Sequence, residues 1–395
     1  MTHPTVLDDS NPVLSTLIAQ AIRERGPLTF AAFMDLVLYH PEHGYYATNQ
    51  ANIGAGGDFY TAPHLGADFG ELLAEQCVDM WQALEQPPAF TLVEMGAGQG
   101  LLSRDLLAYL QKNHPDLWAV LNYVILERSP ALILEQQQRL QPFATHVRWL
   151  SWENLPPVTG CFFSNELVDA FAVHRFVVRG RVLQELYVTL GSDGTLQQMA
   201  GELSTPRLSR YFDLVGIDPS QFPEDYTSEV NLAALDWLSQ VAAHLERGYC
   251  LTIDYGYPAH RYYQPTRTTG TLLCYYRHTA NSNPYHHIGR QDLTTHVDFT
   301  ALERHGATVG LMPLGFTQQA LFLMALGLGD RLNQLLAQDA LSWTEGLRRH
   351  QALHTLIHPT GMGQFGVLLQ AKGLSASQQT HPLKGLQTPL QISFR

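Results

Sequence analysis

Val93-Glu94-Met95-Gly96-Ala97-Gly98-Gln99-Gly100 runs from a short apolar segment ending in an acid into three glycines at alternate positions. Glycine has no Cβ, so a ligand can lie against such a loop, and a helix opening behind it turns free N–H groups toward that ligand. The stretch "FTLVEM" up to Met95 reads as a strand and residues 100–112 as a helix. The same rhythm follows in "YVILE" ending at Glu127, a helix over 130–140, "VRWL" ending at Leu150 and "GCFFSNE" ending at Glu166; it resumes in "GYCLTIDYG", which holds Asp254. Such alternation predicts an α/β fold with a parallel sheet between helices. Right-handed crossovers place every strand-to-helix loop on one edge of that sheet, where ligands bind.

Three ligands compete for the glycine loop. A dinucleotide fingerprint wants a third glycine for helix-to-strand packing, but counting from Gly96 and Gly98 that place is Leu101. A phosphate-binding Walker loop needs Gly-Lys-Ser/Thr, which is missing. S-adenosyl-L-methionine (SAM) carries a carboxylate and an ammonium instead of phosphates, and its signature is an acid followed by alternating glycines. In that reading Glu94 influences the ammonium end, Gly96, Ala97 and Gly98 let the amino-acid part pass, and Glu127 at the next strand end takes both ribose hydroxyls. Trp152 and Glu153 either bound the adenine or belong to a loop. The bland alternative is a tight turn beside a solvated acid. "ATVGLMPL" and "FGVLLQA" (307–314 and 365–371) favour SAM, because an antiparallel closing pair fits a seven-stranded Rossmann-like methyltransferase sheet, whereas a nicotinamide fold continues in parallel.

Around this sheet the chain carries additions. Residues 1–88 read as a helical region, with one helix from Pro12 to Gly26, a second ending before Pro41, and a third bearing Phe69, Leu72, Leu73, Gln76 and Met80 on one face. The catalytic domain spans 89–373, with insertions at about 170–247, 257–295 and 318–361, and 374–395 form a flexible or surface-bound tail. Within the first insertion "HRFVVRGRVLQELYVTL" predicts a hairpin about Arg179-Gly180-Arg181, and "SEVNLAALDWLSQVAAHLERG" a helix stopped by Gly248.

Composition narrows the function. The 395 residues, 45% hydrophobic, suffice for a large core, and the net charge is −12 with His neutral. The 24 basic residues are scattered, so nucleic acid is a poor partner. No run approaches the ~18 apolar residues of a membrane span, which argues against membrane insertion. Cys77, Cys161, Cys250 and Cys274 lack Cys-x-x-Cys spacing and read as reduced, buried thiols. The start, "MTHPTVLDDSNP", has no signal or transit character, so the expected compartment is a bacterial cytoplasm rather than a mitochondrial matrix.

Acceptor chemistry falls to "FFSNELVDAF". Methyl transfer is mainly proximity catalysis, and Ser164, Asn165 and Glu166 end the strand beside the donor's sulfonium. A carboxylate such as Glu166 grips two N–H groups of an arginine and favours a lone pair on the third nitrogen. The other reading of Glu166 is an acid stabilised at a helix N-terminus. Asp254 and Tyr255 either shape an acceptor channel or cap a turn. Of His278, His286, His287 and His296, one is a candidate proton acceptor; metal-site spacing is missing, so no metal is expected.

Together "LYHPEHGYY", "GDFYTAPHLGADFGE", "VEMGAGQG", "YVILERSP", "FFSNELVDAFAVHRF", "IDYGYP" and "DLTTHVDF" resemble the MidA family of SAM-dependent methyltransferases, from about Leu14 to Gln370. Mitochondrial members of that family assist assembly of respiratory complex I. The resemblance implies protein-arginine Nω-methylation of an NADH dehydrogenase subunit, and so a protein partner; apart from the resemblance, a homodimer stands among the expected partners without the sequence fixing the oligomeric state. The resemblance also implies that Gly57, Asp58, Thr61 and Pro63 form a lid over the cofactor and that Asn165 and Glu166 flank the reacting atoms. Ala172 and His64 depart from the family pattern, where Pro and Glu are expected. The rival expectations are a small-molecule methyltransferase and a non-catalytic SAM-binding assembly factor.

Overall fold

The computed structural model describes residues 9–47, 61–277, 279–337 and 343–387. Asn11 caps the first helix, α1 (Pro12–Arg25), its side chain accepting from the N–H groups of Val13 and Leu14. A two-residue strand, β1 (Leu28–Thr29), precedes α2 (Phe30–Tyr39), and α3 (Asp68–Ala83) buries Phe69, Leu72, Leu73, Gln76 and Met80 together. The alternating core then follows: β2 (Phe90–Met95), α4 (Leu101–Asn113), α5 (Pro115–Val120), β3 (Leu121–Leu126), α6 (Pro130–Arg139), β4 (Val147–Leu150) and β5 (Val158–Asn165).

The first insertion builds a second, antiparallel sheet. Its strands β6 (His174–Arg179) and β7 (Val182–Leu190) form the expected hairpin: Arg179 pairs with Val182, and Gly180 and Arg181 both take positive φ, 56° and 64°. Two central residues with positive φ match the right-handed twist of the flanking strands. β8 (Leu196–Gly201), α7 (Arg207–Val215) and β9 (Tyr226–Val230) complete it, in the order β1-β7-β6-β9 with β8 on β7.

Here the sequence reading needs correction. Ser228, Glu229 and Val230 lie in β9, not in a helix; α8 runs only from Leu232 to His244, and Gly248 falls inside β10 (Leu245–Asp254). A Cβ on Gly248 would meet the Gly160 carbonyl oxygen at 1.9 Å, so this glycine permits close strand approach instead of stopping a helix. Past β10, β11 (Gly256–Tyr257), α9 (Ala259–Tyr262), β12 (Leu273–Tyr276), β13 (Thr279–Asn281), β14 (Asp292–Thr294) and β15 (Val297–Asp298) form two small ribbons. α10 (Phe299–Thr308) absorbs Ala307 and Thr308, so the penultimate strand, β16, starts at Met312 and ends at Gln318. The expected helical insertion is α11 (Gln319–Ala325), α12 (Leu328–Ala337) and α13 (Trp343–Leu356), before β17 (Gly366–Lys372).

The main sheet has seven strands in the order β16-β17-β10-β5-β2-β3-β4, parallel except for β17, which runs antiparallel to both β10 and β16. It is the Rossmann-like methyltransferase sheet. Both faces are covered: Leu92 and Tyr123 pack with α3 and α4 residues such as Phe69 and Leu106, and Val93 and Val124 with Trp237 and Leu238 of α8. Strand order reverses between β2 and β5, which puts the ends of those two strands at the crevice where this class of sheet binds ligands.

Two further outcomes concern the periphery. All four cysteines are free and buried, and burial pushes the Cys77 thiol up to about 12. The described residues after Gly373 pack on the body of the protein: α14 (Ala376–Gln379) is followed by a turn in which Lys384 and Gly385 donate backbone hydrogen bonds to Asp79 and Gln76 of α3 at 2.7 and 2.8 Å. No helix among the described residues is long and apolar enough to cross a membrane.

Candidate active site

The three glycines after β2 answer three different demands. Gly96, at φ 70°, would drive a Cβ to 2.6 Å from Leu167 Cδ1, so it lets the first loop touch the loop after β5. Gly100, at φ 75°, opens α4 and would set its Cβ 3.3 Å from Gln136 Cγ. Gly98 has φ 52° and nothing within 4 Å of its missing Cβ; it faces open space. That space is a cavity of about 840 Å³. Thr61, Pro63, Glu94, Gly96, Ala97, Gly98, Glu127, Trp152, Glu153, Asn165 and Glu166 all border it, so the structure unites these sequence candidates in one place. Gly57 and Asp58 lie outside the described residues.

Glu94 is buried and accepts from Tyr123 Oη at 2.5 Å and from Ser103 Oγ. Burial pushes its carboxyl up to about 7. The Glu127 carboxylate accepts from the N–H groups of Arg128 and Ser129 at 2.8 and 2.9 Å, and from Gln136 Nε2 at 3.2 Å; burial raises its pKa against those bonds. Gln136 also donates to the Gly98 carbonyl at 2.7 Å and accepts from Trp149 Nε1 at 2.8 Å. It thereby ties the glycine loop to Glu127. Nothing in the α6 sequence marks it, because a buried Gln has the same pattern as an apolar residue. His64, one of the two departures, links Thr61 Oγ1 at 2.6 Å to Gln99 Oε1 at 3.1 Å, and so fastens the 61–65 turn to the glycine loop.

Glu166 follows β5 with φ 51°, an uncommon conformation for a residue with a Cβ and one that tends to be kept at functional sites. Its N–H donates to the Ile253 carbonyl at 2.9 Å, and its Oε1 accepts from Asn165 Nδ2 at 3.1 Å and Ala62 N at 3.3 Å. The Asn165 carbonyl oxygen, Oδ1, is buried without a partner. Burial first, and the Asp169 charge second, push Glu166 up to about 8.

A second cavity, of about 380 Å³, meets the first at Glu166 and Tyr46, which border both. Its walls include Asp169, Asp292, His296, Tyr255, Tyr257 and Tyr275. Tyr255 Oη donates to Asp169 Oδ2 at 2.5 Å, and Tyr46 Oη to Asp292 Oδ1 at 2.8 Å. Burial pushes Asp169 up to about 6. Among the described residues no Lys or Arg forms an ion pair with the Glu166 or Asp169 carboxyl; the ion pairs lie elsewhere, as in Arg331–Asp68 and Arg175–Glu229. Two acids of this cavity, Asp169 and Asp292, have no mark in the sequence, although Asp169 stands three places after Glu166 in the same quoted motif.

Asp254 borders neither cavity. Fully buried, it accepts through Oδ2 from the N–H groups of Leu167, Val168 and Asp169 at 3.2, 2.9 and 3.3 Å, and through Oδ1 from Tyr255 at 2.9 Å. It holds the 167–169 turn, and so acts through Glu166 and Asp169. The histidines separate clearly: His287 pairs with Asp9 at 2.6 Å and stacks on Tyr276, His286 is exposed, His278 lies outside the described residues, and His296 alone of the four borders the second cavity. Among the described residues no three His, Cys, Asp or Glu side chains converge as a metal site does.

The model of a family described as S-adenosyl-L-methionine-dependent methyltransferase matches residues 72–317. The chain is 29% identical to the mitochondrial protein arginine methyltransferase NDUFAF7 homolog of Drosophila melanogaster over 94% of this chain and 88% of that one. It is 28% identical to the Danio rerio protein arginine methyltransferase NDUFAF7, over 92% and 88%. A crystal structure from Burkholderia thailandensis, bound to S-adenosyl-homocysteine, matches with a TM-score of 0.82 at 31% identity, covering 96% of this chain and 97% of that one.

Proposed function

The chain belongs to the S-adenosyl-L-methionine-dependent methyltransferase family, and from that premise we propose that it methylates arginine side chains of a protein. The larger cavity suits SAM on its own terms. Gly98 leaves room where any side chain would intrude, and the unpartnered Asn165 Oδ1 offers an acceptor to an ammonium. Gly96, Ala97 and Gly98 would hold the amino-acid part, Glu127 the ribose hydroxyls, and Trp152 the adenine side. Thr61 and Pro63 border the same cavity, as a closing segment should. The S-adenosyl-homocysteine bound to the Burkholderia thailandensis relative supports the choice of ligand. Bound there, SAM supplies a methyl group activated by its sulfonium.

The chain's own residues supply position. The single observation behind the arginine reading is that the Glu166 carboxyl stands where the SAM-sized cavity meets a smaller one walled by carboxylates and tyrosines. Arginine stays charged in water and brings five N–H donors in one plane, so buried carboxyls such as those of Glu166 and Asp169 are its natural complement. Gripped by Glu166, its free nitrogen would be held toward the donor cavity, and holding reactants in line is the main service a methyltransferase gives. Asn165 and Ala62 fix the carboxyl by hydrogen bonds to Oε1. The names of the relatives support a protein acceptor, and the resemblance noted above makes an NADH dehydrogenase subunit the first acceptor to try.

The test uses labelled SAM with extract from cells lacking this protein, with and without the purified chain. Label in a protein band, mapped to methylarginine by mass spectrometry, is the expected result. Label only in small molecules would replace the protein acceptor by a metabolite, and no label despite calorimetric SAM binding would leave a non-catalytic factor.

A further inference from the structure

The smaller cavity contains more than its meeting point with the larger one. Asp169 is 94% buried by its 6% exposure, and while Oδ2 takes the Tyr255 hydroxyl, Oδ1 has no hydrogen-bond partner. His296, in the link between β14 and β15, has a buried Nδ1 that is also unpartnered. Its ring is fixed by stacking on Tyr257 at 5.0 Å and by an edge contact with Tyr255 at 5.2 Å. Buried polar atoms nearly always find a partner, so two in the walls of one cavity mark places that a ligand fills. A carboxylate oxygen accepts, and so does the bare nitrogen of a neutral imidazole. Burial and the Arg267 charge hold the His296 imidazole down to about 4, so it stays neutral and does not repel a cation.

Resting on the arginine reading above, we propose that Asp169 Oδ1 and His296 Nδ1 accept from separate N–H groups of the guanidinium, making this cavity selective for arginine over lysine. The argument is geometric. Acceptors on two different elements, with the Glu166 carboxyl at the mouth, call for donors spread around a flat group, and a guanidinium has them in a fixed fork. An ammonium is compact and strongly hydrated, and its three donors radiate from one atom. The tyrosine walls add to the difference, since a guanidinium stacks on aromatic faces more readily than an ammonium. Asp169 and His296 are positioning residues for the acceptor nitrogen that faces the donor cavity.

The experiment measures binding and needs no turnover. Full-length protein saturated with S-adenosyl-homocysteine is titrated with Nα-acetyl-arginine amide and with Nα-acetyl-lysine amide, followed by saturation-transfer NMR. Wild type is expected to prefer the arginine probe at least tenfold. Asp169→Asn and His296→Phe, the latter keeping the ring stack, should each cut that preference severalfold while S-adenosyl-homocysteine affinity and lysine-probe binding stay put. If wild type shows no preference, the arginine reading falls together with this one. If wild type prefers arginine and both variants keep the preference, the reading stands and the roles of Asp169 and His296 are overturned. A loss of S-adenosyl-homocysteine affinity in Asp169→Asn would make Asp169 a support of its loop, and overturn its part.

Discussion

Asn165, which borders the larger cavity, donates through Nδ2 to Glu166 Oε1 at 3.1 Å, while its own Oδ1 is left buried and unpartnered. On the proposed function one amide would serve both halves of the site, bracing the Glu166 carboxyl and offering an oxygen to the donor. The neighbouring Glu166 pays for this arrangement with a left-handed backbone, φ 51°.

Glu166→Gln should leave S-adenosyl-homocysteine affinity within about twofold of wild type and lower methyl transfer on the order of 10²-fold or more, because it removes the charge that grips the acceptor without changing shape. Calorimetry and single-turnover transfer measure the two effects separately. Undiminished transfer would take Glu166 out of the mechanism.

The same carboxyl predicts a pH profile. Glu166 is pushed up to about 8, so in the free enzyme the gripping form gains as pH rises through that value, and kcat/KM should climb between about pH 7 and 9. A flat profile in wild type, or an identical limb in Glu166→Gln, would contradict the assignment.

Stability should move the other way. Glu94 and Glu166 have folded pKa values of about 7 and 8 against 4.5 for the free side chain, so the folded state binds their protons more tightly. Their contribution is fully present below about pH 4.5 and is lost as pH rises toward 8, each group adding a slope of at most about 1.4 kcal/mol per pH unit. Urea unfolding of the ligand-free protein between pH 5 and 8 checks this, and Glu94→Gln should flatten the curve at its lower end.

Gly98→Ala and Gly96→Ala should fail differently. At Gly98 the methyl enters open space, so the fold loses only the roughly 1–2 kcal/mol of a left-handed residue while SAM binding weakens at least tenfold. At Gly96 the methyl strikes Leu167, so the loop after β5 must shift and transfer should suffer along with donor affinity. Thermal unfolding with and without S-adenosyl-homocysteine separates the two.

Asp254→Ala should cost at least about 2 kcal/mol in urea unfolding, because it strands buried N–H groups of Leu167, Val168, Asp169 and Tyr255. Transfer should fall with it, since the turn carrying Asp169 loses its anchor. A variant as stable as wild type would show that water replaces the carboxylate.

The parts of the site legible in the sequence were those written in local pattern. Strand, glycine loop and helix are contiguous, so Glu94, Gly96, Gly98 and Glu127 could be placed before any coordinates, and alternation alone placed Glu166 beside them. The hairpin at Gly180 was equally local. What escaped depends on distant pairing: β9 was read as helix because Leu232–His244 is strongly helical and nothing nearby marks where its pairing with β6 ends. Gln136, Asp292 and Asp169 escaped for the same reason, each meaning little until a second element is brought against it. Asp254 stays open between an acceptor channel and a turn cap in the sequence, since a strand-end acid facing a cavity and one facing a turn have the same pattern, and the structure shows it on the turn.

The short strand β1 has a consequence for how the molecule is made. Leu28 pairs with Val188 and Thr29 with Tyr187, so the first helices close against a strand that leaves the ribosome only after β2 to β6 have been synthesised. Until then the opening segment has an unpaired edge and an uncovered apolar face, with Phe30, Phe33 and Met34 awaiting Val173, Val188 and Cys274. The N-terminal region is thus first in translation and late in folding, and a nascent chain halted before β7 would be the form most in need of a chaperone.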